Sequence, residues 1–317
     1  MPKVLFIVGP TTSGKTSFAL DTARRLVTEG WTIDLISADS RQVYKGLEVL
    51  SGVDIPADFS LHESAFANND HTIFMHGLSL INADEEWSVS HFKDFAEGVI
   101  TQAWQQPQRL PIIVGGTGLY AQQLFSSDPR LHTQPDQELR EQAATMELLE
   151  LQQLLQSTSN DVWLQMSESD QQNPRRLVRA IELSKVVSEA KMITPPVYSS
   201  LSLGLQVDKE ALKERITERV QSRWSNGAVQ EVEQLISRYD DWSTPAFSST
   251  GIKEIKAYIT EQLEPEQAQM LWTNREFQYA KRQLTWWKKY APDQWINTSQ
   301  EGWHDQAYSQ ITQWLAS

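Results

Sequence analysis

At 317 residues the chain has room for about two domains. Its 40% hydrophobic and 22% charged residues are ordinary for a globular protein and exclude wholesale disorder. It contains no cysteine, which excludes disulfides, thiolate zinc sites, iron–sulfur clusters and cysteine nucleophiles. The net charge of −13 argues against a general nucleic-acid binder and leaves local basic surfaces open.

Lys3 to Val8 is apolar and rich in β-branched residues, as a strand buried in a parallel sheet should be. Its apolar part, Val4 to Val8, is shorter than the ~7–15 residues of a signal-peptide core. No other run approaches the ~18 apolar residues of a membrane span, so a soluble cytoplasmic protein with no membrane partner is expected. Gly9 to Gly14 reads as a loop. Thr16 to Leu26 then sets Phe18, Ala19, Thr22, Ala23 and Leu26 at helical spacing, and Thr32 to Ser37 is a second strand. Strand, loop, helix and strand within about 35 residues make a βαβ unit.

Residues 51–90 read as irregular active-site loops with one short strand near Thr72 to Met75. A further strand, Leu110 to Val114, runs into Gly115-Gly116-Thr117-Gly118 and an apolar helix start. From Asp128 to Ser200 glycine is absent, Gln, Glu and Leu dominate, and the pattern is helical up to the Thr194-Pro195-Pro196 breaker. Leu201 to Val207 is again strand-like and should return to the sheet. Helices follow, with breaks near Gly227, Pro245, Gly251 and Pro265, and then an acidic, Trp-containing tail. The fold class expected is α/β, a parallel sheet of the P-loop NTPase type flanked by helices, over residues 1–127 and 201–292. An all-helical insertion would occupy residues 128–200, and the tail residues 293–317.

Gly9-Pro10-Thr11-Thr12-Ser13-Gly14-Lys15-Thr16 matches GxxxxGK[ST] after a buried strand and before a helix, the context the motif requires. Its backbone N–H groups and the helix N-terminus suit phosphate oxygens, Lys15 supplies a point charge, and the Thr16 hydroxyl suits Mg²⁺. The motif specifies phosphate or pyrophosphate binding; it does not specify ATP. Asp39, in Ser37-Ala38-Asp39-Ser40-Arg41-Gln42, lies at the C-terminal end of the second strand, where open α/β sheets place their ligands. It is either a metal- or proton-accepting carboxylate or a helix N-cap. The GGTG segment is either part of the site, offering the Thr117 hydroxyl, or a tight turn.

Two segments depart from the acidic average. Asn173 to Met192 has five basic residues against two acidic ones, and Thr273 to Lys289 has five against one, with Phe277, Tyr279, Trp286 and Trp287 interleaved. Such segments suit phosphates and unstacked bases. They equally suit an amphipathic helix with a solvated basic face and an aromatic core stripe.

GPTTSGKT, SADSRQVYKGL, IIVGGTGLY, NPRRLVRAIEL, ERITERV and YAKRQLTWWKK occur in this order. Together they resemble the tRNA dimethylallyltransferases, the tRNA isopentenyltransferases of the IPP transferase family, from about Val4 to Lys289. The resemblance implies transfer of a dimethylallyl group from dimethylallyl diphosphate to N6 of adenosine 37, within adenosines 36 to 38 of the anticodon stem-loop; a monomer is the default expectation. Gly9 to Thr16 would hold the diphosphate with Mg²⁺ at Thr16, Lys15 and Arg219 would neutralise it, and Asp39 would bind the adenine amine as general base. The resemblance also implies tRNA contacts by Asp39, Ser40, Arg41, Gln42 and Thr117. Others would come from Arg140, from Arg175, Arg176, Leu177, Val178 and Arg179 in the insertion, and from Lys281 and Arg282. The loop Ser248, Ser249, Thr250, Gly251, Ile252 and Lys253 completes the set.

The chain departs from the family in places. Leu50-Ser51-Gly52-Val53-Asp54 stands where many members carry Gly-Thr-Ala-Lys-Pro, so a lysine is missing. Phe277 replaces the usual arginine four residues before Lys281, Thr250-Gly251-Ile252-Lys253 replaces Ile-Gly-Tyr-Lys, and the His-His pair is reduced to His76-Gly77. Two other readings share parts of the pattern. A small-molecule P-loop kinase explains the first 120 residues, and an adenylate isopentenyltransferase shares the chemistry on a free nucleotide.

Overall fold

The computed structural model describes residues 1–125, 129–185 and 198–317. The chain divides into two compact units, Met1–Phe125 with Pro196–Ser317, and Ser126–Pro195. Among the described residues the first unit has one sheet of eight strands: β1 (Lys3–Val8), β2 (Thr32–Ser37), β3 (Phe59–His62), β4 (Ala65–Asn68), β5 (Ile73–His76), β6 (Arg109–Gly115), β7 (Ser199–Gln206) and β8 (Gln294–Asn297). The spatial order is β3-β4-β5-β2-β6-β1-β7-β8. Strands from β5 to β8 run parallel, and β3 and β4 form an antiparallel edge.

Helices α1 (Lys15–Thr28), α2 (Glu48–Ser51), α3 (Val89–Trp104) and α4 (Gly118–Phe125) belong to the first unit. The second unit holds α5 (Gln137–Ala143), α6 (Leu148–Thr158), α7 (Asn160–Gln165), α8 (Glu168–Gln171) and α9 (Pro174–Ser184). The first unit resumes with α10 (Lys209–Arg223), α11 (Val229–Arg238), α12 (Ile252–Ile259), α13 (Pro265–Lys289) and α14 (Trp303–Ala316). Among the described residues no helix is long and apolar enough to cross a membrane.

Strand β1 shows why the central strands are mostly apolar. Leu5 and Ile7 share a core with Phe18 and Leu26 of α1 and Ile311 of α14. The alternate residues Val4, Phe6 and Val8 share another with Phe92, Ala96 and Ile100 of α3 and Leu124 of α4. Both faces are covered, so the period-two pattern vanishes from the sequence. Asp34 of β2 is the exception, a fully buried carboxylate. Arg109 meets it with Nε at 2.6 Å and a terminal nitrogen at 2.8 Å, and His76 Nε2 lies at 2.8 Å. Burial pushes Asp34 up, but these partners outweigh it and hold the carboxyl below its usual range.

The breaks expected near Gly227, Pro245, Gly251 and Pro265 are present. Gly227 has φ +113 inside a π turn between α10 and α11, Pro245 opens a short 3₁₀ turn, Gly251 precedes α12, and Pro265 is the first residue of α13. Two segments differ from the sequence reading. Residues 51–90 contain the β3–β4 hairpin as well as β5, and the final residues are no separate tail. Strand β8 extends the sheet beside β7, and α14 packs Ala307 and Ile311 into the core.

The second unit has a small core of Leu139, Ala143, Leu151, Leu155, Leu177 and Ile181. Its buried carboxylate, Glu182, accepts from Arg140 Nε at 2.7 Å, Arg179 at 2.9 Å and the Asp136 amide at 3.1 Å. Burial raises the Glu182 pKa, but the arginine bonds win and hold it below the ordinary value.

Candidate active site

The topology sets three motif loops side by side. Strands β2, β6 and β1 are adjacent and parallel, so the segments after Ser37, Gly115 and Val8 all emerge at one sheet edge. The Ala38 amide donates to the Val114 carbonyl at 2.8 Å, which ties the Asp39 segment to the end of β6. A single pocket there is lined by Thr11, Thr12, Lys15, Thr16, Asp39, Gln42, Ser51, Gly52, Asp54, Gly115, Gly116, Arg219 and Gln283, among others. It joins the phosphate loop, Lys15, Thr16, Asp39, Gln42 and Arg219, residues spread over some two hundred positions.

The phosphate loop has little freedom. Gly9 has φ +143, and a Cβ there would lie 2.3 Å from the Leu205 carbonyl oxygen. Gly14 has φ +88 and hands the chain to α1. Lys15 is partly exposed as a residue, while its ammonium is desolvated and donates to the Pro10 carbonyl at 2.5 Å. Burial lowers its pKa to about 7, with Asp39 opposing the shift and Arg219 adding to it. Thr12 Oγ1, Ser13 Oγ and Arg219 Nε are buried without hydrogen-bond partners. Unmet donors beside a desolvated lysine are the physical mark of an anion site.

Asp39 is not a helix cap. Its Oδ1 accepts from the Arg41 amide at 2.8 Å in an Asx turn, and Asp39 itself lines the pocket. Gln42 accepts from Ser37 Oγ at 2.7 Å and donates to the Gly52 carbonyl at 2.9 Å, and Arg41 donates to Ser248 Oγ at 3.1 Å. The GGTG segment is both tight and part of the pocket. A Cβ on Gly115 would strike the Ala38 carbonyl at 2.3 Å, and one on Gly116 would strike Gln283 Nε2 at 2.2 Å. Thr117 approaches the phenol of Tyr279 without closing a regular hydrogen bond.

The other sequence candidates lie elsewhere. Lys281 and Arg282 are exposed on α13, over the rings of Phe277 and Tyr279 at 4.7 and 5.6 Å. The tryptophans of that helix are structural: Trp272 and Trp287 are buried in the core, and Trp286 packs on Gly118. Thr250 Oγ1 donates to Glu276 at 2.6 Å, Lys253 and Ser248 are exposed, and Ser249 and Gly251 are buried. In the second unit Arg175 and Arg176 are exposed, and Arg176 pairs with Asp170. Arg140 and Arg179 are engaged with Glu182, and Val178 is half-buried. Leu177 and Ile252, expected as contact residues, are fully buried side chains that support the surface from beneath.

Gln283, Asp54, Arg223 and Glu276 were not singled out by sequence reasoning. Gln283 is only 6% exposed, and its Oε1 accepts from the Thr11 amide at 2.8 Å. It shares the buried stripe of Ala280 and Trp287 on α13, so a polar residue at a core position of that helix was its signal.

The comparisons with known proteins agree with the motifs. A model described as IPP transferase matches residues 42–290. The chain belongs to the IPP transferase family. The tRNA dimethylallyltransferase of Acetivibrio thermocellus is 31% identical to this IPP transferase family member over 325 aligned positions, covering all of this chain and 98% of the relative. That of Moorella thermoacetica is 32% identical over 298, covering 89% and 86%. The crystal structure of the tRNA isopentenylpyrophosphate transferase of Bacillus halodurans superposes with a TM-score of 0.67 at 27% identity, covering all of this chain and 96% of that one. The resemblance read from the motifs and the α/β fold class are thus both borne out, and this family member is a prenyl-transferring enzyme.

Proposed function

We propose that this chain transfers a dimethylallyl group from dimethylallyl diphosphate to N6 of adenosine 37 in tRNA, releasing pyrophosphate. The observation that carries the reading is the single pocket uniting the phosphate loop, Lys15 and Arg219 with the Asp39 carboxylate. Cations and unmet donors suit a diphosphate, and a carboxylate beside them suits an amine that must lose a proton. The relatives named tRNA dimethylallyltransferase supply the tRNA substrate. A monomer working in the cytoplasm completes the proposal.

In the reaction the N6 nitrogen attacks C1 of the dimethylallyl group, the C1–O bond breaks, and its electron pair leaves with pyrophosphate. A carboxylate is too weak a base to ionise an exocyclic amine outright. Asp39 therefore accepts the N–H hydrogen bond first and takes the proton as the new C–N bond acidifies the nitrogen. Lys15, Arg219 and the backbone amides of Gly9 to Thr16 stabilise charge growing on the leaving group. The target adenine must leave its stack to reach Asp39.

Among the described residues no group of three His, Asp or Glu side chains could hold a metal alone. The Thr16 hydroxyl, which lines the pocket, would hold Mg²⁺ together with diphosphate oxygens, since this ion usually keeps waters and few protein ligands. When bound it neutralises charge on the diphosphate. The basic residues of the insertion and of α13 would serve the tRNA. Of these, Arg175, Lys281 and Arg282 lie on exposed faces.

The test is mass spectrometry of digested, unmodified tRNA after incubation with dimethylallyl diphosphate and Mg²⁺, with AMP in a parallel reaction. A prenyl mass gain on adenosine 37 alone is expected. Gain on AMP would instead indicate a free-nucleotide transferase.

Lys15 provides an independent check. With its pKa lowered to about 7 it is largely neutral in the free enzyme above that pH, and a bound anion restores the proton. Calorimetric titration with inorganic pyrophosphate and Mg²⁺, in buffers of different ionisation enthalpy and corrected for protons exchanged by pyrophosphate itself, should show net proton uptake that rises between about pH 6 and about pH 8.5. Affinity should fall over the same range. Uptake that stays flat with pH would contradict this role for Lys15.

A further inference from the structure

Helix α10 carries two arginines one turn apart on one face, Arg219 and Arg223. Like charges at this spacing weaken a helix, and Arg223 adds the cost of being only 8% exposed. Folding alone gives little return for it. Its anionic partner is Glu276, at 3.4 Å through Oε1, the oxygen that also takes Thr250 Oγ1 at 2.6 Å and Trp272 Nε1 at 3.3 Å. Burial and the neighbouring Arg219 lower the Arg223 pKa to about 10, which marks a cation without full compensation.

Both guanidinium groups crowd Gly52, a residue of the pocket wall. A Cβ at Gly52 would lie 2.0 Å from a terminal nitrogen of Arg219 and 2.5 Å from one of Arg223. At φ +71 this position favours glycine, and a Cβ would force both guanidinium groups to shift.

We propose that Arg223 is a second arginine of the diphosphate site, acting with Arg219 as a paired cation on the donor's diphosphate. The proposal rests on the reading of this pocket as a diphosphate site. A trianionic diphosphate ester would make the buried Arg223 and the half-buried Arg219 favourable together at Gly52.

The test uses the full-length enzyme with inorganic pyrophosphate and Mg²⁺ in calorimetry, and dimethylallyl diphosphate with tRNA in steady-state kinetics. Arg223→Met should weaken pyrophosphate about tenfold or more and raise KM for dimethylallyl diphosphate by a similar factor, with tRNA affinity unchanged. Arg223→Lys should recover part of the loss. Because Arg223→Met leaves Glu276 buried without its cation, the pair Arg223→Met with Glu276→Gln is measured alongside and should show the same pyrophosphate defect in a folded protein. Unchanged pyrophosphate affinity in the folded variants would overturn the role of Arg223. Failure of the unaltered enzyme to bind pyrophosphate would instead remove the diphosphate reading itself.

Discussion

Asp39→Asn should lower prenyl transfer by about a thousandfold while pyrophosphate and tRNA binding change by no more than about threefold. The asparagine carbonyl oxygen can still accept from the Arg41 amide, the bond that Asp39 Oδ1 makes at 2.8 Å. The Asx turn therefore survives, and with it the placement of Arg41 and Gln42. What is lost is the charge and the capacity to take a proton. Single-turnover transfer with saturating donor and tRNA separates this loss from any binding defect. Transfer at the parental rate would show that Asp39 is not the base.

Gly9→Ala should abolish pyrophosphate binding and destabilise the first unit by roughly 3 kcal/mol. Two penalties coincide at this residue. Its φ of +143 is closed to alanine, and the new methyl would lie 2.3 Å from the backbone oxygen of Leu205 on β7, which no side-chain rotation relieves. Either β7 or the phosphate loop must move, and the loop is held at its other side by Gln283. Gly302→Ala is the control. It also has positive φ, +74, but nothing lies within 4 Å of the added atom, so about 1 kcal/mol of strain is the whole cost. Denaturant melts of the two variants should separate clearly, and coincident curves would mean that the loop does not depend on the β7 contact.

The parts of the fold readable in the sequence are those where local pattern and chemistry coincide. β1 and β2 are dominated by apolar residues and lead into motifs, so their limits, Lys3–Val8 and Thr32–Ser37, were readable residue by residue. The β3–β4 hairpin was not. Its strands are four residues each at the sheet edge, and Ser60, Leu61 and His62 of β3 are exposed, so no hydrophobic period marks them. β8 was hidden similarly, because Gln-Trp-Ile-Asn becomes a strand only through pairing with β7. The same contrast holds within the pocket. Lys15, Thr16 and Asp39 announce themselves by motif and by position after a strand. Arg223 and Glu276 look like surface charges on helices until α10 and α13 are packed together, and a basic aromatic run such as Trp286-Trp287 looks like a nucleic-acid surface until burial assigns it to the core.

The direct test of the proposed chemistry is a count of pyrophosphate released against prenylated adenosine formed in a reaction of this enzyme, tRNA, dimethylallyl diphosphate and Mg²⁺ without ATP. One pyrophosphate per modified adenosine is expected, with added ATP neither consumed nor required. Dependence on ATP, or phosphoryl transfer from it with no prenyl product, would contradict a phosphate loop that reads the diphosphate of a prenyl donor.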